Sequence, residues 1–260
     1  MFKYSIKSIL KHPLIRNLDI DSPETTIVHS RIINEKPFLS KIYKKWYVSI
    51  LNSLPLNITG PVLELGSGGG FLKEFIPALI TSEIFHIPKV DVVLDGQSIP
   101  FKKSSLQGVV MVDVFHHIPH VKKFLNEVAR CLVPGGVVVM IEPWNTKWSR
   151  LIYKYLHHES FDPFDKEWEI PKGGPLSQAN SALPWMVFER DREKFKQEFP
   201  ELKIQEIELH SPFCYLLSGG VSLRNLIPGC LFGICQRIED ALKPWMHSCA
   251  MFAKIVLSRK

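Results

Sequence analysis

The 260-residue chain has no Cys-x-x-Cys pair, no internal repeat, no low-complexity tract and no apolar run long enough to cross a bilayer. Its five cysteines, Cys131, Cys214, Cys230, Cys235 and Cys249, are odd in number, which argues against a disulfide framework and suits a reducing compartment. A cytoplasmic location is the matching expectation. Lys3 and Lys7 interrupt the apolar residues of Met1 to Leu10, so no signal-peptide core is expected there. The longest apolar stretch near the C-terminus, Leu226 to Cys235, contains Pro228 and two glycines and is about half a spanning helix in length. It supports at most a peripheral contact with a membrane surface, and no transmembrane segment is expected.

Apolar residues make up 45% of the chain and charged residues 22%, the balance of a soluble globular protein able to bury a core. The length allows one large domain or one domain with substantial additions. The net charge of +6 is uneven: Met1 to Gly60 carry +5, Pro61 to Pro143 carry −1 and the remainder +2. A basic stretch with Lys41, Lys44, Lys45, Trp46 and Tyr47 could meet nucleic acid, an anionic surface or an acidic substrate, but it equally suits the solvated face of an ordinary helix.

From Pro61 onward, short β-branched runs alternate with stretches of helical period, the pattern of a parallel sheet with crossover helices. Strands are expected at Pro61 to Leu65, Leu79 to Glu83, Val90 to Leu94, Val109 to Val114 and Val137 to Ile141. A short helix should follow the first, with Phe71, Leu72, Phe75 and Ile76 on one side and Pro77 ending it. A longer one lies between Pro119 and Leu132, stopped by Pro134-Gly135-Gly136. Asn145 to Pro184 reads as irregular. Asp191 to Phe199 and Leu231 to Leu242 read as helices, and Lys203 to Leu209 and Phe252 to Leu257 as two late strands completing a seven-stranded sheet. The expected organisation is a helical extension over 1–60, an α/β core over 61–143, an irregular cap or substrate insertion over 144–202 and completion of the sheet over 203–260.

The most informative segment is Glu64-Leu65-Gly66-Ser67-Gly68-Gly69-Gly70-Phe71, between the first strand and its helix. Glycines there allow positive φ and let a ligand approach the main chain. A dinucleotide fingerprint would need glycine at 71, where Phe71 stands, and no Gly-Lys-Ser/Thr run follows for a phosphate loop.

This segment and three others resemble class I S-adenosylmethionine-dependent methyltransferases, in particular the type 11 branch of small-molecule enzymes. The resemblance covers roughly Pro61 to Pro143. Val62 to Gly70 is similar to the family's first motif, Asp95-Gly96-Gln97-Ser98-Ile99-Pro100-Phe101 to its segment after strand three, and Asp113-Val114-Phe115-His116-His117-Ile118-Pro119 to the end of its fourth strand. Leu125 to Gly136 is similar to its Glu-x-x-Arg-x-Leu-x-Pro-Gly-Gly run. The resemblance implies an α/β fold with a Rossmann-like, mostly parallel seven-stranded sheet, helices on both faces, and a cap inserted after strand five.

It also implies S-adenosyl-L-methionine as cofactor. The glycine turn, with Leu65, Gly66, Ser67, Gly68 and Gly70, would leave backbone bare for it, and Glu64 would face its cationic end. Glu83 would hold the ribose, with Asp91 a competitor; Asp95 would accept from the adenine amino group, Gly96 and Gln97 would line the ring, and Asp113 with Val114 would border the methionine moiety. Each has an ordinary rival: Glu64 as a helix-dipole partner, Asp95 as a turn former, Glu83 as a surface loop residue.

Methyl transfer from a sulfonium needs alignment and exclusion of water, and a hydroxyl acceptor also needs a base. His117, and after it His116, are the candidates, though a histidine at a helix start often only bonds the backbone. No metal site is expected: the His116, His117 and His120 group and His157-His158-Glu159 lack a helical His-Glu-x-x-His spacing. Trp144, Phe161, Trp168, Trp185 and Phe188 either cover the acceptor or pack in the interior. The expected activity is methyl transfer to a small-molecule or glycan-type acceptor at oxygen. The alternatives are an RNA methyltransferase, disfavoured because no RNA-binding module is attached, and a catalytically silent cofactor-binding partner. The sequence leaves the oligomeric state open.

Overall fold

The computed structural model describes residues 10–157, 159–170 and 173–260. Residues 1–9 of the expected non-secretory N-terminus and His158 of one candidate metal group lie outside them. Two helices come first, α1 (Pro23–Glu35) and α2 (Pro37–Ser53), each with proline in its first turn. Pro37 forces the break, because it pushes Lys36 to extended backbone at φ −99° and ψ 97°.

Seven strands follow: β1 (Val62–Leu65), β2 (Ile80–Glu83), β3 (Val92–Val93), β4 (Leu106–Val112), β5 (Leu132–Pro143), β6 (Leu202–His210) and β7 (Phe252–Arg259). They lie in the order β3-β2-β1-β4-β5-β7-β6. The first five pair in parallel, with Leu63 opposite Val109 and Val109 opposite Val138, whereas β7 runs antiparallel to both β5 and β6. The strand order therefore reverses between β1 and β4, which opens a crevice at their carboxyl ends.

Alternation along the strands splits the core into two layers. Leu63, Leu65, Val109, Met111, Val138, Met140 and Ile255 face one side, where α3 (Val121–Cys131), the short α5 (Leu183–Trp185) and α6 (Arg192–Glu198) pack. Val62, Val110, Val137, Val139, Ile141 and Val256 face the other. There α2 presents Phe38, Leu39, Ile42, Tyr43, Trp46, Tyr47 and Ile50, all buried on one stripe. Trp46 and Tyr47 of the basic stretch thus belong to the core, and Lys41 bonds the Gly229 carbonyl at 3.1 Å.

Several local expectations need correction. The stretch after the glycine turn forms only one 3-10 turn, Leu72–Glu74, because Pro77 stops it before a nucleus can propagate. Pro134-Gly135-Gly136 does not turn the chain away: β5 begins at Leu132, directly after α3, and absorbs the three residues through a register shift opposite Leu106 and Gly108. Part of the stretch expected to be irregular is helix α4 (Lys147–Leu156), started by a capping box in which Thr146 and Ser149 bond each other's backbone N–H. Thr-x-x-Ser was its visible signal. After β6 come α7 (Cys214–Ser218), α8 (Phe232–Ala241) and α9 (Met246–Cys249).

Candidate cofactor and acceptor site

A cavity of about 390 Å³ opens at the carboxyl ends of β1, β2 and β4. Its wall includes Glu64, Leu65, Gly66, Ser67, Gly70, Glu83, Asp95, Gly96, Gln97, Asp113, Val114 and His117. These are the expected positions apart from Gly68 and His116, which are not in the wall.

The glycine turn has a steric reason for its composition at two points. Gly66 sits at φ +65°, and a Cβ there would come within 2.5 Å of the Val114 side chain. At Gly68 a Cβ would lie 2.0 Å from Thr26 Cγ2 and 2.6 Å from Glu83 Oε2. Gly68 therefore acts from behind the surface: its N–H donates to Glu83 Oε2 at 3.0 Å, while the Ile84 N–H donates to Oε1 at the same distance. The Glu83 carboxylate is thereby fixed at the end of β2, on the cavity wall. Asp91, its competitor, is turned away onto Lys73 and Thr81, and their bonds hold its carboxyl down at about 2.

Charge in this cavity is poorly solvated. Burial pushes Glu64 up to about 7, with the Ser67 hydroxyl opposing and Glu83 adding to the shift. Burial also raises Asp113 to about 7, against the pull of the His116 charge and with the push of Glu159 and Glu142. Asp113 further occupies the left-handed region at φ +62°, an uncommon conformation that asparagine and aspartate tolerate best. Asp95 makes a turn, accepting from the Gln97 N–H at 2.8 Å and from Gln97 Nε2. Among the described residues, Gln97 Oε1 in the cavity wall is buried without a hydrogen-bond partner.

The two histidines differ in role. His116 is fully buried, with Nδ1 at 2.7 Å from Glu142 and Nε2 at 3.2 Å from Glu159. Burial would lower its pKa, but the bonds to Glu142 and Glu159 outweigh that and hold it well above its ordinary value. With Nδ1 engaged by Glu142 and Nε2 by Glu159, His116 offers the cavity no unengaged ring nitrogen and does not line its wall. Glu142 also accepts from the N–H groups of Val114 and Phe115 at 2.9 and 2.7 Å, which pins the turn after β4.

His117 lies on the wall, its Nδ1–H donating to the Gln178 carbonyl at 2.9 Å. Burial and the neighbouring His116 charge lower it to about 4, so at neutral pH its Nε2 carries a lone pair. Nε2 is 3.7 Å from a Glu159 oxygen. Among the described residues, ligand atoms of His116, His117 and Glu159, and of Asp113, His116 and Glu142, come within 4.8 Å of one another. The short His116 contacts within these groups are hydrogen bonds. His120 is elsewhere, against Glu169 at 3.6 Å.

Sequence motifs did not disclose two parts of this wall. Thr26, His29, Ile33, Tyr43 and Tyr47 come from α1 and α2, and Pro175, Leu176 and Gln178 from the insertion. The insertion is tied across the cavity: Asp21 accepts from the Leu176 and Ser177 N–H groups at 2.8 Å, and Gln178 holds His117. None of Trp144, Phe161, Trp168, Trp185 or Phe188 lines the cavity. Trp144, Trp168 and Phe188 are core, and Phe161 and Trp185 pack against it.

Residues 63–140 match the family model described as "Methyltransferase domain". Over those residues the sequence is similar to a methyltransferase domain. A 55-residue stretch is 38% identical to the phthiotriol/phenolphthiotriol dimycocerosates methyltransferase 1 of Mycobacterium ulcerans, spanning 21% of this chain and only 20% of that protein. The chain also resembles solved structures in its fold. A Thermotoga maritima S-adenosylmethionine-dependent methyltransferase, described as a possible histamine N-methyltransferase, superposes with a TM-score of 0.52 at 15% identity, covering 90% of this chain and 99% of that one. Geranyl diphosphate C-methyltransferase of Streptomyces coelicolor A3(2), solved with Mg2+, geranyl diphosphate and S-adenosyl-L-homocysteine, superposes with a TM-score of 0.50 at 12% identity, covering 89% and 83%. At such identities the likeness is one of fold: the chain has a Rossmann-like, mostly parallel seven-stranded sheet.

Proposed function

We propose that this chain transfers the methyl group of S-adenosylmethionine to a small-molecule acceptor. The observation that carries the reading is a crevice at the strand-order switch whose wall holds two carboxylates, the buried Glu64 and the half-buried Asp113, each raised to about 7. A ligand bearing an ammonium and a sulfonium would relieve the cost of ionising them, whereas a phosphate-bearing nucleotide would add to it. The buried, unpartnered Gln97 Oε1 asks for a donor on the ligand, which an adenine amino group supplies. Glu83, with one lone pair on each oxygen beyond its backbone bonds, suits a pair of ribose hydroxyls.

When bound, the cofactor supplies an activated methyl group on sulfur. The chain's own residues then have three tasks. Glu64, Glu83, Asp95 and Asp113 orient the ligand; Gly66 and Gly70 let it lie on the main chain; and the segment from Pro175 to Gln178, with α1, excludes water. The acceptor lies on the His117 side, where Nε2 accepts a hydrogen bond from a hydroxyl and aligns its oxygen. With a pKa near 4, His117 takes the hydroxyl proton only as the new C–O bond makes it strongly acidic and then yields it to solvent, so its contribution is chiefly alignment.

RNA as acceptor is disfavoured, because Trp46 and Tyr47 are core residues and Lys36 is buried against the Gly220 and Leu223 carbonyls. Two measurements test the proposal. Calorimetric titration of the full chain with S-adenosylhomocysteine should show one site, and Asp95→Ala or Glu83→Ala should weaken it at least tenfold; unchanged binding in both would remove the assigned pocket. Mass spectrometry of a small-molecule extract incubated with protein and cofactor should show methylated products. His117→Ala should slow their formation about tenfold, within the range of lost general-base and alignment effects, with cofactor affinity within twofold. Cofactor binding with no methylated product would identify a silent binder instead.

A further inference from the structure

A second cavity of about 290 Å³ lies beside the first, and the two share His29 and Val221 as a common wall. The rest of its lining is chiefly aliphatic, with Ile15, Leu18, Ile20, Ile152, Leu216 and Met251. Close packing normally leaves only small voids inside a protein, so an apolar space of this size is a feature in its own right.

Among the polar groups of this wall, the Tyr153 hydroxyl and the Gly220, Ser222 and Leu223 carbonyls are satisfied within the chain. Tyr153 donates its hydroxyl to the Met251 carbonyl at 2.7 Å. Lys36 donates to the carbonyls of Gly220 at 2.6 Å and Leu223 at 3.0 Å, and the His12 N–H donates to the Ser222 carbonyl at 2.9 Å. These bonds shape the 219–223 backbone and leave the aliphatic side chains to meet an occupant. Leu156, 43% exposed, marks the solvent side of the cavity, and His29 and Val221 mark the side toward the cofactor crevice.

We propose that the second cavity receives the aliphatic chain of the methyl acceptor while its polar, reacting end passes His29 and Val221 into the first. The acceptor class is then a long-chain amphiphile with a hydroxyl at or near one end. This inference rests on the methyltransferase reading for the fate of the reacting end, but the chain-binding cavity is testable by itself.

The test titrates full-length protein, with and without saturating S-adenosylhomocysteine, with butan-1-ol, hexan-1-ol, octan-1-ol and decan-1-ol. Each buried methylene should tighten binding about fourfold until the cavity is full. Leu216→Trp should flatten the series at a shorter chain, and Leu216→Ala should extend it to a longer one, both with S-adenosylhomocysteine affinity unchanged. Leu18→Trp, on another wall, replaces Leu216→Trp if that variant does not fold. Affinity independent of chain length, or a series unmoved by the wall variants, would overturn the inference. Normal alkanol binding with no binding of S-adenosylhomocysteine would overturn the methyltransferase reading and leave an apolar-chain site. Normal S-adenosylhomocysteine binding with a flat alkanol series would do the reverse.

Discussion

An ionised carboxylate taken out of water must be met by a cation or by several N–H groups, or else it keeps its proton. Glu64 and Asp113 keep theirs up to about 7. Between about pH 4 and pH 7 the folded, ligand-free chain therefore binds more protons at these sites than the unfolded chain does, and that contribution to stability falls as pH rises. Glu64 alone accounts for up to about 3 kcal/mol of this loss. His117 and His210, lowered to about 4 and about 3 chiefly by burial, have the opposite slope over much of the same window. The informative quantity is thus the difference between wild type and Glu64→Gln, measured by urea unfolding at several pH values without ligand. The variant should gain on the wild type as pH rises from about 4 to 7; parallel curves would show that Glu64 titrates alike in the folded and unfolded chain. Because the ligand's ammonium favours the ionised acids, affinity for S-adenosylhomocysteine should strengthen from pH 6 to pH 8 with release of protons. Calorimetry in buffers of different ionisation enthalpy would detect that release, and its absence in the wild type would contradict the assigned electrostatics.

The elements matter through how α2 holds the glycine turn. The Tyr47 hydroxyl accepts the Phe71 N–H at 3.2 Å, and its oxygen sits only 2.2 Å from where a Cβ on Gly70 would be. One buried hydroxyl thus supplies a hydrogen bond to the end of the turn and a steric reason for glycine at 70. Tyr47→Phe should cost about 1 kcal/mol by leaving the Phe71 N–H without its acceptor. Gly70→Ala should cost more in the wild type than in the Tyr47→Phe background, with a coupling of about 1 kcal/mol or more in a double-mutant cycle of unfolding free energies. Strict additivity would mean that the turn moves freely relative to α2. This contact also shows where reading the sequence stops. The glycines and Glu64 were legible because a short-range motif carries them, and so was the succession of strands along the chain, because short β-branched runs carry it. Tyr47 reads only as part of a basic stretch on a solvated helix face, since nothing local says that its hydroxyl points at residue 71. His116 was visible as a histidine near a strand end, but its burial between Glu142 and Glu159 depends on residues 26 and 43 positions further along the chain.

At the scale of the whole molecule, the N-terminal segment is one of the layers rather than an appendage to them. The sequence showed a change of pattern at Pro61, and a change of pattern marks a change of secondary structure without saying whether the two parts share a core. They do: the α2 stripe covers the sheet face formed by Val62, Val110, Val139 and Ile141, and α1 reaches the glycine turn through Thr26 and Ile33. The α2 stripe has seven large buried side chains, each worth about 1.5–3 kcal/mol on burial, so their gross contribution is of order 10–20 kcal/mol. A domain's net stability is typically only about 5–15 kcal/mol. A chain beginning at Leu56 should therefore have no cooperative thermal transition and should bind apolar dyes, because one face of its central strands would be bare to solvent. It should also fail to bind S-adenosylhomocysteine even though every motif from Val62 to Gly136 is intact. Cooperative unfolding of that shortened chain within a few degrees of the full-length protein would show that the α/β segment closes its own core, and that the helices only decorate it.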